Sequence, residues 1–335
     1  DKRDHIGGNC YDYIDKVTNI RVNKYGAHLF HTNNEEVWEY VNKFVKWVKW
    51  EHKVLSYLDK KYVPLPVNIN TVNQLLKLNL SNQKQMDLWL KNNQIKYKNI
   101  KNSEEMAKSR IGDLLYQKMI KDYTFKQWNK YPEKLDKSVL ERIPVRNNFN
   151  NNYFNDKYQV LPEKGYTNFF EKLLENELIE VKLNTDFFEM KKNMDLSGYK
   201  IIYTGPIDRY FSNLPKLEYR SIKFEIQRYE NKEYIQPNSV INYPSKNIKY
   251  TRSVEYKHFL NQKSDKSIVI YETTTDKGEP YYPVPNKYNQ ELYEKYRVLS
   301  EKEENVYFLG RLANYKYFNM DAAIFNSLKF FNKLR

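Results

Sequence analysis

Two short β-prone runs constrain this chain most: Ile201-Ile202-Tyr203-Thr204 stops at Gly205-Pro206, and Val306-Tyr307-Phe308-Leu309 stops at Gly310. Glycine frees the backbone to turn at a strand end, and such ends commonly face ligands. After the second run, Met320-Asp321-Ala322-Ala323-Ile324 opens a helix with Leu328 and Phe331 on its apolar side. Neither run approaches the roughly 20 apolar residues of a membrane span, so none is expected. No signal peptide is visible. At 335 residues the chain is long for one hydrophobic core. Two or three packed units with a ligand cleft between them are the expectation.

Thr32-Asn33-Asn34-Glu35-Glu36 offers two overlapping capping boxes, and Val37, Trp38, Val41, Phe44, Val45 and Val48 follow at helical spacing. A helix beginning near Asn34 is predicted. Val54 to Leu58 and Tyr62 to Val67, separated by Asp59-Lys60-Lys61, read as a hairpin of antiparallel sheet. From Asn70 to Leu135 the apolar pairs Leu114-Leu115 and Met119-Ile120 are spaced for an inserted helical unit. No repeat and no low-complexity linker interrupts these segments.

The 56 Lys and Arg against 42 Asp and Glu give a net charge of +14, which suggests an anionic partner. The bases are mixed with acids along the whole chain, whereas a nucleic-acid footprint needs clustering on one face. The lone Cys10 excludes an internal disulfide, carries no zinc site and fits a reducing compartment. Opening on Asp1 in place of Met reads as a processed or truncated product.

Asp1-Lys2-Arg3-Asp4-His5-Ile6-Gly7-Gly8-Asn9 has the form of the stretch after the second strand of a dinucleotide-binding βαβ unit. There an acid binds the adenosine ribose and paired glycines let the backbone approach a cofactor. Otherwise an acid followed by Gly-Gly is a surface turn. The same opening leads into Asn23-Lys24-Tyr25-Gly26-Ala27-His28-Leu29-Phe30-His31-Thr32-Asn33, and here the chain resembles the UDP-galactopyranose mutases, whose flavin-facing loop this looks like. Taken alone, His28 and His31 would be a metal pair, or a core histidine and a helix-capping neighbour. No Cys or further His lies close by in sequence, so no metal is expected.

Further motifs follow in the family's order. Tyr123-Thr124-Phe125-Lys126-Gln127-Trp128 resembles its uridine and sugar contact, which implies Tyr123 stacked on uracil and Trp128 beside the sugar. Arg142-Ile143-Pro144-Val145-Arg146 and Asn151-Asn152-Tyr153-Phe154 imply Arg142 and Tyr153 near the diphosphate, where a guanidinium offers paired donors. Thr251-Arg252 and Pro280-Tyr281-Tyr282-Pro283 match a second diphosphate arginine and a phosphate-binding tyrosine, and Arg220 matches another family arginine. The run from Gly310-Arg311 to Tyr317-Phe318-Asn319-Met320-Asp321 resembles the C-terminal flavin motif. It implies Arg311 on the cofactor, Tyr317 on the substrate phosphate and the helix N-terminus at the flavin pyrimidine edge. Asn319 stands where the family usually has Asp, so altered turnover is expected. Singly, these stretches would be ordinary helix packing and surface Arg and Tyr.

The resemblance runs from Asp1 to about Leu328 and implies an α/β fold. Its parts are a Rossmann-like FAD domain truncated at its N-terminus (1–33, 156–214 and 296–335), an inserted helical domain (69–137) and an antiparallel β-sheet substrate domain (34–68, 138–155 and 215–295). The implied activity is a cytoplasmic isomerase that interconverts UDP-galactopyranose and UDP-galactofuranose by reduced-FAD N5 nucleophilic catalysis. Arg142, Arg252 and His31 are the implied catalytic residues. Tyr123, Trp128, Arg142, Tyr153, Arg220, Arg252, Tyr282, Tyr317 and Asn319 are implied to bind substrate. Asp1, Gly7, Gly8, Asn9, His28, His31, Arg311 and Met320 are implied to hold FAD. UDP-galactose is the expected small-molecule partner, with neither nucleic acid nor membrane, and a homodimer is left open. The strand, Gly-rich turn and helix that bind FAD phosphates in the family are not among these 335 residues, so weak FAD binding by the 335 residues is expected. Two rivals stay open: an amine-oxidase-like flavoprotein, which needs no diphosphate-directed arginines, and an inactive nucleotide-sugar-binding homologue.

Overall fold

The computed structural model describes residues 1–230 and 233–334. Residues 231–232 of the expected sheet domain and residue 335 of the expected FAD domain lie outside the described residues. Among the described residues the largest sheet has seven strands, in the order Tyr282–Pro283, Tyr219–Tyr229, Ser267–Thr275, Arg252–Glu255, Val240–Asn242, Val54–Leu58, Lys61–Leu65. Neighbours run antiparallel except Val240–Asn242 and Val54–Leu58, which pair in parallel through Ile241↔Leu55 and Asn242↔Ser56. The hairpin expected from Val54 onward forms, with Leu58 paired to Lys61. Its two turn residues, Asp59 and Lys60, both take positive φ, as a two-residue primed turn requires. Val54, Ser56 and Leu58 alternate inward, which fixes the register against the core.

The helix that follows the histidine loop is Glu35–Val41, with the Asn34 side chain accepting from the Val37 amide at 3.1 Å. It stops short of Val48, because Trp47–Lys49 is a strand paired with Tyr158–Pro162. Phe30–Thr32 pairs with the other edge of that central strand. Neither capping box read from the sequence forms. Thr32 donates to Asp321 at 3.1 Å, Asn33 donates to Asp156 at 3.0 Å and Glu35 pairs with Lys157. Partners distant in sequence take the groups that local capping would have used.

Between Ile69 and Trp128 the chain is helical: Ile69–Leu76, Gln83–Asn93, Ser103–Leu115, a π-helical turn Tyr116–Lys121, and Asp122–Trp128. Gly112 kinks the third of these at φ 76, where a Cβ would strike the Asn93 carbonyl. Leu115, Met119 and Ile120 point into the core, while Leu114 is exposed. The kink and π turn aim the short Asp122–Trp128 helix across the large sheet, which it contacts at Ser267–Thr275.

The two glycine-stopped runs pair in parallel, Ile201–Tyr203 with Val306–Phe308. The Leu309 amide then bonds the Tyr203 carbonyl at 3.1 Å, and the chain returns as the helix Met320–Leu334. Phe331, expected on that helix's apolar side, is exposed.

Candidate active site

These elements surround a cavity of about 1230 Å³, larger than the ~300–1,000 Å³ usual for one small ligand. The Asp122–Trp128 helix supplies Tyr123 and Trp128, and the end of the Ser138–Glu141 helix supplies Arg142. The large sheet supplies Arg252 and Tyr282, the loop before Met320 supplies Arg311, Tyr317 and Asn319, and the His31 loop closes the side between them. Asp1, Gly8, Asn9, His28, Tyr153 and Met320 complete the expected residues found on this wall.

Its centre is an aromatic and cationic layer. The Trp128 and Tyr282 rings meet edge-on at 6.2 Å, and Tyr282 stacks with Tyr317 at 5.7 Å. The Arg142 guanidinium lies 4.4 Å from the Tyr317 ring centre and that of Arg311 lies 5.0 Å from it. Burial alone would raise the Tyr317 phenol, but Arg142 and Arg311 outweigh it and pull its pKa below the ordinary range. Opposite, the Arg252 Nε is 2.5 Å from the Glu272 carboxylate, its partner in the strand register. Gly26 rests against both, since a Cβ there would come 3.3 Å from Glu272 Oε1 and 3.4 Å from Arg252 Nη2, at φ +93. A side chain would push the histidine loop away from the arginine.

His28 Nδ1 lies 2.8 Å from the Gly26 carbonyl, and burial lowers its pKa to about 4, the Arg311 and Arg252 charges adding to the effect. His31 Nδ1 lies 3.0 Å from Asp156, and its ring stacks on Phe154 at 3.7 Å. Asn9 accepts from Arg3 at 2.9 Å, and the Asp1 carboxylate accepts from the Arg3 amide at 2.9 Å.

Two expected residues fall elsewhere. Arg220 is 4% exposed and turned to protein partners: Nε donates to the Gln127 carbonyl at 3.0 Å, Nη2 to the Lys126 carbonyl at 3.4 Å, and Nη1 pairs with Asp276. Carbonyls at the end of the Asp122–Trp128 helix need a donor there, and Arg220 meets that need instead of facing the cavity. Gly7 shapes the turn beneath the wall, at φ +80 with its Cβ position 3.0 Å from the Phe170 ring.

Residues that the sequence did not point to also belong here. His52 lines the cavity with its Nδ1 unpartnered among the described residues, and burial lowers its pKa to about 3. Lys126 donates to the carbonyls of Tyr243, Ser245, Ile248 and Tyr250, pinning the loop before Arg252, and burial lowers its pKa to about 8. Glu272 and Asp156 act through their partners. Only the strand register, which pairs Arg252 with Glu272, could have signalled one of them.

The family profile described as UDP-galactopyranose mutase matches residues 118–317, and one for an NAD(P)-binding Rossmann-like domain matches residues 1–44. A probable UDP-galactopyranose mutase of Klebsiella pneumoniae is 37% identical over 334 residues, covering 98% of this chain and 86% of the relative. The chain belongs to the UDP-galactopyranose mutase family. Other relatives of this chain are the UDP-galactopyranose mutase of Mycoplasma genitalium, 35% identical over 98% of this chain and 86% of its own, and the dTDP-fucopyranose mutase of Escherichia coli, 35% identical over 97% and 88%. The crystal structure of a reduced UDP-galactopyranose mutase superposes with a TM-score of 0.77 at 15% identity, covering 99% of this chain and 87% of the other, and so shares the mutase fold.

The family's cofactor is FAD. The site fits such a group beside a nucleotide sugar: the cavity exceeds the volume of one ligand, and the Cβ position of Gly8 has nothing within 4 Å. Buried Arg311 Nε and His52 Nδ1 also wait for partners among the described residues. No group of three or more His, Cys, Asp or Glu placed to hold a metal occurs among the described residues, and no helix among them is long and apolar enough to cross a membrane.

Proposed function

We propose that this chain interconverts UDP-galactopyranose and UDP-galactofuranose, with the diphosphate held between Arg142, Arg252 and Tyr317. The observation that carries this reading is the Tyr317 ring flanked by the Arg142 and Arg311 guanidiniums, next to the Trp128–Tyr282 aromatic wall. FAD, held by Asp1, Gly8, Asn9, His28, Arg311 and Met320, supplies in its reduced form the nucleophile for the anomeric carbon. The protein's own residues do the rest. Tyr123 offers a flat face to the uracil and Trp128 a hydrophobic wall to the sugar. Arg142 and Arg252 offset the charge that grows on the diphosphate as the glycosidic bond breaks, and they hold the leaving UDP for its return. Tyr153, Tyr282 and Tyr317 add hydroxyl donors to the same oxygens. Asn319 gives this wall an amide with no charge. The same reading divides the chain into the FAD, helical and sheet domains bounded as above, and places the protein in the cytoplasm, with a sugar nucleotide as its partner.

The test supplies the protein with UDP-galactofuranose, with and without dithionite, and follows products by chromatography. Turnover only after reduction is expected. Equal turnover in both states overturns the mechanism, and no turnover in either with UDP still bound supports an inactive nucleotide-sugar-binding homologue. The 35% identity to a dTDP-fucopyranose mutase favours a second reading, in which dTDP-fucopyranose is the substrate. A larger kcat/KM for that sugar nucleotide would decide for it.

A further inference from the structure

We propose that Asp156 is a positioning residue for His31, holding its ring in the Nδ1–H tautomer so that Nε2 is presented to the cavity as a hydrogen-bond acceptor for a sugar hydroxyl. The inference rests on the cavity being the sugar-nucleotide site. His31 lines the cavity, and its Nδ1 lies 3.0 Å from Asp156 Oδ2. An ionised carboxylate only accepts, so the nitrogen facing it carries the proton, and the other nitrogen of a neutral ring is bare. Nε2 takes no partner among the described residues.

Both groups are held. The His31 ring stacks on Phe154 at 3.7 Å, with the two planes nearly parallel at 18°, and its backbone pairs with Gln159. The second Asp156 oxygen, Oδ1, accepts from Asn33 Nδ2 at 3.0 Å, and the Asp156 main-chain carbonyl accepts from Gln159 Nε2 at 2.9 Å. Asn33 closes the clasp by accepting from the Lys157 amide at 2.8 Å. The carboxylate therefore cannot swing away from the ring without breaking a bond to Asn33.

The consequence is selectivity within a wall of donors. Arg142, Arg252 and Arg311 can only donate, and they suit phosphate oxygens, which at neutral pH can only accept. A bare imidazole nitrogen suits the reverse partner. It accepts from a sugar hydroxyl and offers nothing to a phosphate oxygen, so a ligand is oriented with its diphosphate at the arginines and its hydroxyl-bearing ring at His31.

Asp156→Asn makes the test sharp. Asn33 still requires an acceptor at its end of the side chain, so the new amide would put its oxygen there and its NH2 toward Nδ1, forcing His31 into the Nε2–H tautomer. Long-range proton–nitrogen correlation on the 15N-labelled full chain at alkaline pH reads the tautomer, with His31→Gln identifying the signal among the five histidines. The expected result is an Nδ1–H pattern in the wild type, an Nε2–H pattern in D156N, and kcat reduced about tenfold or more with little change in KM or in UDP affinity. An Nε2–H wild type overturns the proposal, as does a D156N variant that keeps the wild-type tautomer or the wild-type kcat. If D156N fails to fold, or if the wild type shows no turnover, the tautomer measurement decides alone. A failure of the mutase reading is separately visible as absent UDP binding.

Discussion

Arg252 and Glu272 stand directly opposite one another on adjacent antiparallel strands, and Gly26 of the histidine loop packs against the pair. Glu272 is 3% exposed, and its Oε1 has no partner among the described residues. The carboxylate thus balances the charge of the arginine.

Glu272→Gln should separate stability from binding. Removing one member of a buried ion pair costs about 3 kcal/mol, because the other charge is left uncompensated. A bound diphosphate would restore that compensation, so UDP affinity should hold or rise while the urea midpoint falls. Weaker UDP binding by calorimetry would contradict this account.

Arg142→Ala and Arg252→Ala should each weaken UDP binding by about ten- to hundredfold, from the roughly 1.5–3 kcal/mol of a charge-assisted hydrogen bond. Unchanged affinity in both variants would remove the diphosphate from this part of the cavity.

Arg220→Ala should behave differently, since Arg220 braces the carbonyls of Lys126 and Gln127 and does not line the cavity. A loss of stability of about 3 kcal/mol is expected, with UDP affinity changed by less than about threefold. A large loss of affinity in a stably folded variant would return Arg220 to the substrate site.

Acid sensitivity should follow from His28 and His52, whose pKa values burial lowers to about 4 and about 3. In the unfolded chain both take up protons below about pH 6.5, while in the folded chain they stay neutral, so the unfolded state binds more protons there. Their stabilising contribution is complete above about pH 6.5 and is lost as the pH falls toward 4 and then 3, by up to about 1.4 kcal/mol per pH unit for each ring. Urea midpoints measured across that window should show the slope, and His52→Gln should flatten it.

Much of the site was legible because its motifs are contiguous in sequence. Tyr123 and Trp128 sit on one short helix, and Arg311, Tyr317, Asn319 and Met320 fall within one loop and helix start. Arg220 shows where that reading fails: its residue type suited a phosphate, but the carbonyls of a nearby helix end and the Asp276 carboxylate hold its guanidinium instead. Asp156 and His52 carry no motif of their own, and Lys126 sits within one that gave it no role, because their importance lies in what packs against them.

By itself the sequence determined local structure and side-chain chemistry. The alternation in Val54–Leu58, the positive-φ turn at Asp59 and Lys60 and the helical spacing after Ile69 depend on neighbours a few residues away. Only the tertiary structure decided which of the competing partners each polar group took. Thr32 and Asn33 could have capped a helix, yet Asp321 and Asp156 lie within 3.1 Å and 3.0 Å of them. Val48 left a helical pattern for a strand beside Leu161. Leaving a buried polar group unpaired is costly, so most find a partner, and the one found is whichever the folded chain brings within reach, however distant in sequence.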